Sequence, residues 1–294
     1  GHSPPQPRCG SNAEAVAIRA TGRRAGRPYN RPPMTAVFDR DHFYGDAVAY
    51  DILHASGTAA EGRMLAEIAA RCSGRSGPFT FLEPACGTAR HLRWLARRRH
   101  RGIGCDLAPH MIADARARAE RAGIAAKLRL FVADMTDFAA QVRRRTDLAF
   151  NLVDTIRHLP DDAAMLTHFE QVAACLKPAG AYVVGLSTTV YGVERPTRDI
   201  WTGVRGRCQV VQTAHYSPPA PPGRTETVRS RIRIRTPSIA ERRDCVFSLR
   251  TYSRREIRGL IGRSCFRIDH VLDDEGRPGG LPEADYCHLV LRPR

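Results

Sequence analysis

The chain has 294 residues, 43% of them hydrophobic, and a formal net charge of +16. That size and apolar content fit one large α/β domain with an insertion, or two small domains, and no apolar run approaches the ~18–20 residues of a bilayer-spanning helix. The positive charge does not by itself point to nucleic acid: almost every basic residue is arginine, Lys127 and Lys177 being the only lysines, and no RNA-binding motif, basic helix or zinc knuckle goes with them.

The nine cysteines show no Cys-x-x-Cys and no regular spacing, and several, such as Cys105, Cys175 and Cys265, sit within apolar runs. They read as buried free thiols of a reducing, cytoplasmic compartment rather than a disulfide frame or a zinc site, so no metal is expected. Residues 1–33 are rich in Pro, Gly and Arg and read as a mobile basic tail, with Gly1-His2 as a cloning remnant and Met34 opening the compact part. Phe38 to Ala55 brings aromatic residues ahead of an amphipathic helix over Thr58 to Cys72, whose apolar side carries Met64, Leu65, Ile68 and Ala69.

From Phe79 to Met135 three short apolar runs each end in an acid: Phe79–Leu82 into Glu83, Ile103–Cys105 into Asp106, and Leu128–Ala133 into Asp134. Two segments of helical period separate them, Ala89–Arg99 and Pro109–Ala122. Strands alternating with helices of this length imply βαβ units and a parallel sheet, and ligands of such sheets bind beyond the carboxyl ends of the strands. Three carboxylates are therefore expected at one crevice. A dinucleotide would require a Gly-x-Gly-x-x-Gly turn, whereas here Gly87 stands alone between Ala85 and Ala89. The plain alternative is a doubly wound domain whose strand-end acids are merely solvated or capping.

A fourth strand follows over Asp147–Val153, then a helix over Asp161–Leu176 with acids in its first turn, a Lys177-Pro178-Ala179-Gly180 turn, and a fifth strand over Ala181–Leu186. Beyond Tyr191 strand signals run on without helices: Cys208–Tyr216, Arg224–Thr236 and Arg243–Arg250, the first two joined by a proline-rich turn. The second run alternates, with Val228, Ile232 and Ile234 facing one way and Arg229, Arg231, Arg233 and Arg235 the other. This arginine ladder is either a solvated face or an attractor for an acidic acceptor. Ser253 with Glu256 has capping-box spacing at the start of the last helix, and Phe266–Leu272 and Tyr286–Leu291 read as closing strands.

The segment Glu83-Pro84-Ala85-Cys86-Gly87-Thr88-Ala89, with Gly104-Cys105-Asp106-Leu107 and Ala133-Asp134-Met135, resembles the three cofactor motifs of the class I S-adenosylmethionine-dependent methyltransferases. The resemblance implies a Rossmann-like α/β fold: a seven-stranded, mostly parallel sheet with helices on both faces, plus an inserted antiparallel sheet over the acceptor site. It divides the chain into the tail (1–33), a lid and cofactor core (34–190), the insertion (191–250), and a closing helix and strands (251–294). It implies S-adenosylmethionine as cofactor, with Glu83, Ala85, Cys86 and Gly87 by the methionine part, Asp106 on the ribose hydroxyls with Leu107 and Met111 beside it, and Asp134 and Met135 by the adenine. Asn151 and Tyr44 complete the cofactor set, with Phe43 or Tyr50 as other lid residues. Arg157 and Tyr191 are expected on the substrate side, and His158 as the proton acceptor, because a histidine's ordinary pKa near ~6.5 suits that task at neutral pH. The expected partner is a small-molecule acceptor, with neither nucleic acid nor membrane. An RNA or protein methyltransferase is the alternative, although no Asn/Asp-Pro-Pro-Tyr/Phe motif follows the fourth strand. A cofactor-binding protein without catalysis is the other, since Ala89 replaces a usual glycine and its methyl would crowd the cofactor.

Overall fold

The computed structural model describes residues 45–220 and 222–294. Two short sequence cues set its start. Asp46 accepts the Ala49 N–H at 2.9 Å and so caps helix α1, Ala47–Leu53. Helix α2, Thr58–Ser73, stops at Gly74, whose φ of 65° satisfies the last turn. The predicted alternation then appears as β1 (Thr80–Pro84), α3 (Arg90–Arg97), β2 (Arg101–Asp106), α4 (Pro109–Arg121), β3 (Leu128–Val132) and β4 (Thr146–Asn151). Helix α5 (Asp162–Cys175) and strand β5 (Leu176–Ser187) complete the parallel part.

Helix α6 (Arg254–Gly262) opens with the expected box, Ser253 and Glu256 capping each other, and leads to β10 (Phe266–Leu272) and β11 (Tyr286–Pro293). The seven strands lie in the order β10-β11-β5-β4-β1-β2-β3, parallel except for β11, which runs antiparallel to both neighbours. The strand order reverses between β1 and β4, where the carboxyl ends of an open α/β sheet leave a crevice.

Alternate residues of each strand feed opposite sides of the sheet, which is why both faces are buried. Phe81, Leu148, Phe150 and Val183 pack on α2, α3 and α4 through Leu65, Leu92, Leu95 and Ile112. Leu82, Ala149, Tyr182 and Val184 pack on α5 and α6 through Phe169, Val172, Ile257 and Leu260. The Lys177–Gly180 turn expected between helix and strand lies inside β5: Leu176 already pairs with Thr146, and the register shifts before Ala181 meets Leu148.

Between β5 and α6 stands a separate antiparallel sheet, β6 (Thr197–Arg205), β7 (Cys208–Ser217), β8 (Thr225–Arg235) and β9 (Ala240–Arg250), in chain order. Strand β6 is an addition to the sequence reading; it is an edge strand with mostly exposed residues, so it carries little apolar alternation. The buried face, including Val210, Ala214, Val228, Ile232 and Phe247, packs on Ala49, Ile52 and Leu53 of α1. Gly203 permits this contact, since a Cβ there would run into the Ile52 carbonyl. The arginine ladder of β8 lies on the opposite, exposed face, where Arg231 pairs with Asp244 at 2.7 Å. Among the described residues no helix is long and apolar enough to cross a membrane.

Candidate active site

A cavity of about 630 Å³ opens at the carboxyl ends of β1, β2, β3 and β4. It brings together Glu83, Ala85, Cys86, Gly87, Asp106, Leu107, Met111, Asp134, Met135, Asn151, Arg157 and His158. All three strand-end acids thus share one space, as the apolar-run-plus-acid pattern predicts. Tyr191, expected on the substrate side, does not line this cavity: its hydroxyl donates to Glu256 at 2.9 Å, with the Thr251 carbonyl 3.1 Å away. Tyr44 and Phe43 lie outside the described residues.

The acids differ in their surroundings. Glu83 is buried, and its Oε1 accepts from His91 Nδ1 at 2.8 Å, while Oε2 is buried with no hydrogen-bond partner among the described residues. His91 also meets Glu61 at 2.9 Å. Burial and Arg90 push the His91 pKa down, but Glu83 and Glu61 outweigh them and raise it above the ordinary value. A buried acid with one oxygen held and one left over is poised for a cationic ligand.

Asp106 accepts the Gly87 N–H at 2.7 Å and the Ala108 N–H at 2.9 Å, one on each oxygen. Burial raises its pKa, with those two bonds pulling the other way. A carboxylate has about four lone-pair sites, so about two remain for a pair of hydroxyls. Asp134 sits exposed at the rim and holds its own turn through the Thr136 N–H and hydroxyl, both at 2.7 Å.

The turn after β1 is left-handed at Ala85, Gly87 and Ala89, with φ of 52°, 54° and 55°. Tyr50 of α1 lies over Gly87, so a Cβ there would meet its ring at 3.1 Å. The Ala89 methyl does not crowd the cavity; it is fully buried in the core among Leu65, Leu92 and Phe81.

After β4 the chain makes a second left-handed turn at Val153 and Asp154, with φ of 54° and 58°. Such values are strained for a β-branched residue. The Val153 N–H donates to the Tyr286 hydroxyl at 2.9 Å, a contact that exists because Gly185 has no side chain to obstruct it. Asp154 accepts the Ser187 N–H at 2.7 Å and its hydroxyl at 2.6 Å. The turn aims residues 155–159 at the cavity, His158 among them, half-buried with its ring 5.8 Å from Phe247. Asn151 lines the wall but is fixed, donating to the Pro84 carbonyl and accepting from Tyr182 at 2.7 Å. Arg157 is likewise engaged, by Glu226, by Asp154 at 3.4 Å and by the Arg250 carbonyl at 2.8 Å.

The remaining wall comes from α1 and the antiparallel sheet: Tyr50, His54, Trp201, Gln212, Tyr216, Phe247 and Leu249. Sequence reasoning assigned none of the five sheet residues to the site. Period-two alternation on β7 and β9 groups Gln212 with Tyr216 and Phe247 with Leu249, but the strands do not say what they face. The ladder arginines line the other side of this sheet, so the acidic-acceptor reading gains nothing from them. A cavity that combines strand-end acids with an aromatic, mostly uncharged surface suits a cationic ligand beside an apolar-faced one. The orphaned Glu83 oxygen and the spare capacity of Asp106 fit an ammonium and a ribose diol, so the residues present fit S-adenosylmethionine.

Residues 81–180 match the family model of a methyltransferase domain. By sequence the chain matches no curated protein. Among solved structures it is similar to a S-adenosylmethionine-dependent methyltransferase from Clostridium acetobutylicum, at 15% identity, TM-score 0.64, covering 85% of this chain and 96% of that one. It is similar to the sugar N-methyltransferase KedS8 from Streptoalloteichus, at 19% identity and TM-score 0.63, covering 94% and 100%. It is also similar to S-adenosylmethionine-bound CalS10 from Micromonospora echinaspora, an amino pentose methyltransferase involved in calicheamicin biosynthesis, at 18% identity and TM-score 0.57, covering 90% and 100%. At these identities the likeness to the structures is one of fold.

Proposed function

We propose that the chain is a class I S-adenosylmethionine-dependent methyltransferase that moves a methyl group to an oxygen or nitrogen of a small molecule by in-line displacement, a reading supported by the match of residues 81–180 to the model of a methyltransferase domain. The observation that carries the reading is the shared cavity, lined by Glu83, Asp106 and Asp134 together with Trp201, Tyr216, Phe247 and Leu249. Arg157 is already matched by Asp154 and Glu226, so an anionic acceptor would have to displace one of them. A neutral or amine-bearing acceptor with an apolar face fits better. The sugar N-methyltransferase and amino pentose methyltransferase among the similar structures favour an amine on a sugar-like molecule. We read the working unit as residues 34–190 with 251–294, roofed by 191–250, and the free buried thiols as fitting a cytoplasmic setting.

S-adenosylmethionine supplies a methyl group activated by its sulfonium charge. The chain's part is mainly to position the two reactants, which gives most of the acceleration for such a displacement. Glu83 would take the ammonium, Asp106 the ribose hydroxyls, and Asp134 with Met135 the adenine side. His158 would accept the proton that the acceptor sheds, at its ring nitrogen. Trp201 and Phe247 would help keep water from the cavity.

Calorimetry with S-adenosylmethionine and its demethylated product is expected to show binding of both; no heat with either at millimolar concentration overturns the reading. Asp106→Ala should weaken binding by about 1–3 kcal/mol, the loss of hydrogen bonds to a charged group. Unchanged affinity would remove the ribose assignment.

A further inference from the structure

We propose that His54, at the end of α1, donates a hydrogen bond to the carboxylate at the amino-acid end of the methyl donor, opposite Glu83. The inference rests on the cofactor reading above and concerns a residue that neither motif nor spacing singles out.

Of the buried side-chain atoms lacking a hydrogen bond among the described residues, two belong to residues that line the cavity: Glu83 Oε2 and His54 Nε2. One is an acceptor on an acid. The other belongs to a ring that, as its Nε2–H tautomer, is a donor. An α-amino acid presents the matching pair, an ammonium that needs an acceptor and a carboxylate that needs a donor. A buried polar atom left unmatched is destabilising, so a ligand that satisfies both removes two such penalties.

The ring is held in place by its neighbours. Its centroid lies 4.4 Å from that of Tyr50 and 5.7 Å from that of Trp201. Tyr50 in turn covers Gly87, which places His54 at the same end of the cavity as the turn after β1. The charged groups that act on it come from every element around it: Asp51 on its own helix, Glu61 on α2, and Arg90 and His91 on α3. Burial first, then Arg90, pushes its pKa down to about 3, so the free protein holds a neutral ring. Glu83, His91, Glu61 and Arg90 form a chain of alternating charge, with Arg90 bonded to Glu61 at 2.6 Å. With His91 protonated that chain carries no net charge and therefore tolerates a zwitterion, while the neutral His54 ring offers its Nε2–H to the carboxylate.

The test compares S-adenosylhomocysteine with 5′-methylthioadenosine, which keeps the adenosine and the sulfur but lacks the amino-acid end. The full chain and two variants are titrated calorimetrically. His54→Leu keeps the packing on Tyr50 and Trp201 and removes the donor; it should weaken S-adenosylhomocysteine about 10–100-fold and leave methylthioadenosine unchanged. His54→Gln restores an N–H at similar reach and should recover binding to within about threefold of the parent. If His54→Leu binds S-adenosylhomocysteine as the parent does, or loses both ligands alike, the proposal is wrong. If the parent chain binds neither ligand, the failure belongs to the cofactor reading itself.

Discussion

Asp51→Ala should lower the folding stability by about 3–5 kcal/mol, the cost of removing one partner from a buried charge cluster. Asp51 is 2% exposed, and four donors converge on it: Arg93, Arg118 at 3.1 Å, Arg205 at 2.7 Å and the Thr88 hydroxyl at 2.7 Å. They come from α3, α4, β6 and the turn after β1, so one carboxylate on α1 ties the antiparallel sheet to the parallel core. Without it, three guanidiniums face each other with only Asp114, bonded to Arg118, to balance them. Burial raises the Asp51 pKa, but Arg93, Thr88, Arg205 and Arg118 together lower it below the ordinary carboxylate value. A depressed folded pKa means that the stabilisation is present at neutral pH and is lost as pH falls through that value. Urea unfolding of the parent and Asp51→Asn should therefore show a gap at pH 7 that closes under acid, below the usual carboxylate range. A gap that stays constant with pH would show that the charge is not what matters.

His158→Ala should reduce kcat by about 10²–10⁴, the range for a positioned proton acceptor, with cofactor affinity unchanged. The strained turn at Val153 and Asp154 presents this ring at the junction of the acidic and aromatic walls, half-buried against Phe247. The pH profile then sorts the acceptor. An amine loses its own proton to solvent as pH rises, so the deficit of the variant should shrink at alkaline pH. A hydroxyl acceptor keeps needing a base, and the deficit should persist. Full activity of the variant across the profile would remove His158 from the chemistry.

The parallel core was legible because its signals are local. Each apolar run before Glu83, Asp106 and Asp134 is a strand, and the capping box at Ser253 and the acidic first turn at Asp161 and Asp162 start helices where they stand. The acid crevice followed from topology alone. The wall built by α1 and the second sheet was not legible, because His54, Trp201 and Phe247 come together only when that sheet folds onto α1, a contact between residues far apart in the chain. Strand β6 escaped because Ile200 and Val204 face outward while Asp199, Trp201 and Gly203 take the half-buried positions, so its hydrophobic pattern does not follow its burial. Tyr191 misled for the opposite reason: it lies near the site in sequence, yet its hydroxyl is taken up by the cap of α6. Ala89 misled because a left-handed backbone turns its methyl toward the core.

The backbone at Val153 has a further consequence for how the enzyme would respond to selection. Glycine at that position would relieve about 1–3 kcal/mol of conformational cost, yet valine occupies it. A laboratory population chosen only for survival of heating should drift toward glycine there. The same lineages should lose turnover, since the relaxed hinge no longer points His158 at its target, and heat tolerance and catalytic rate would part company at one residue.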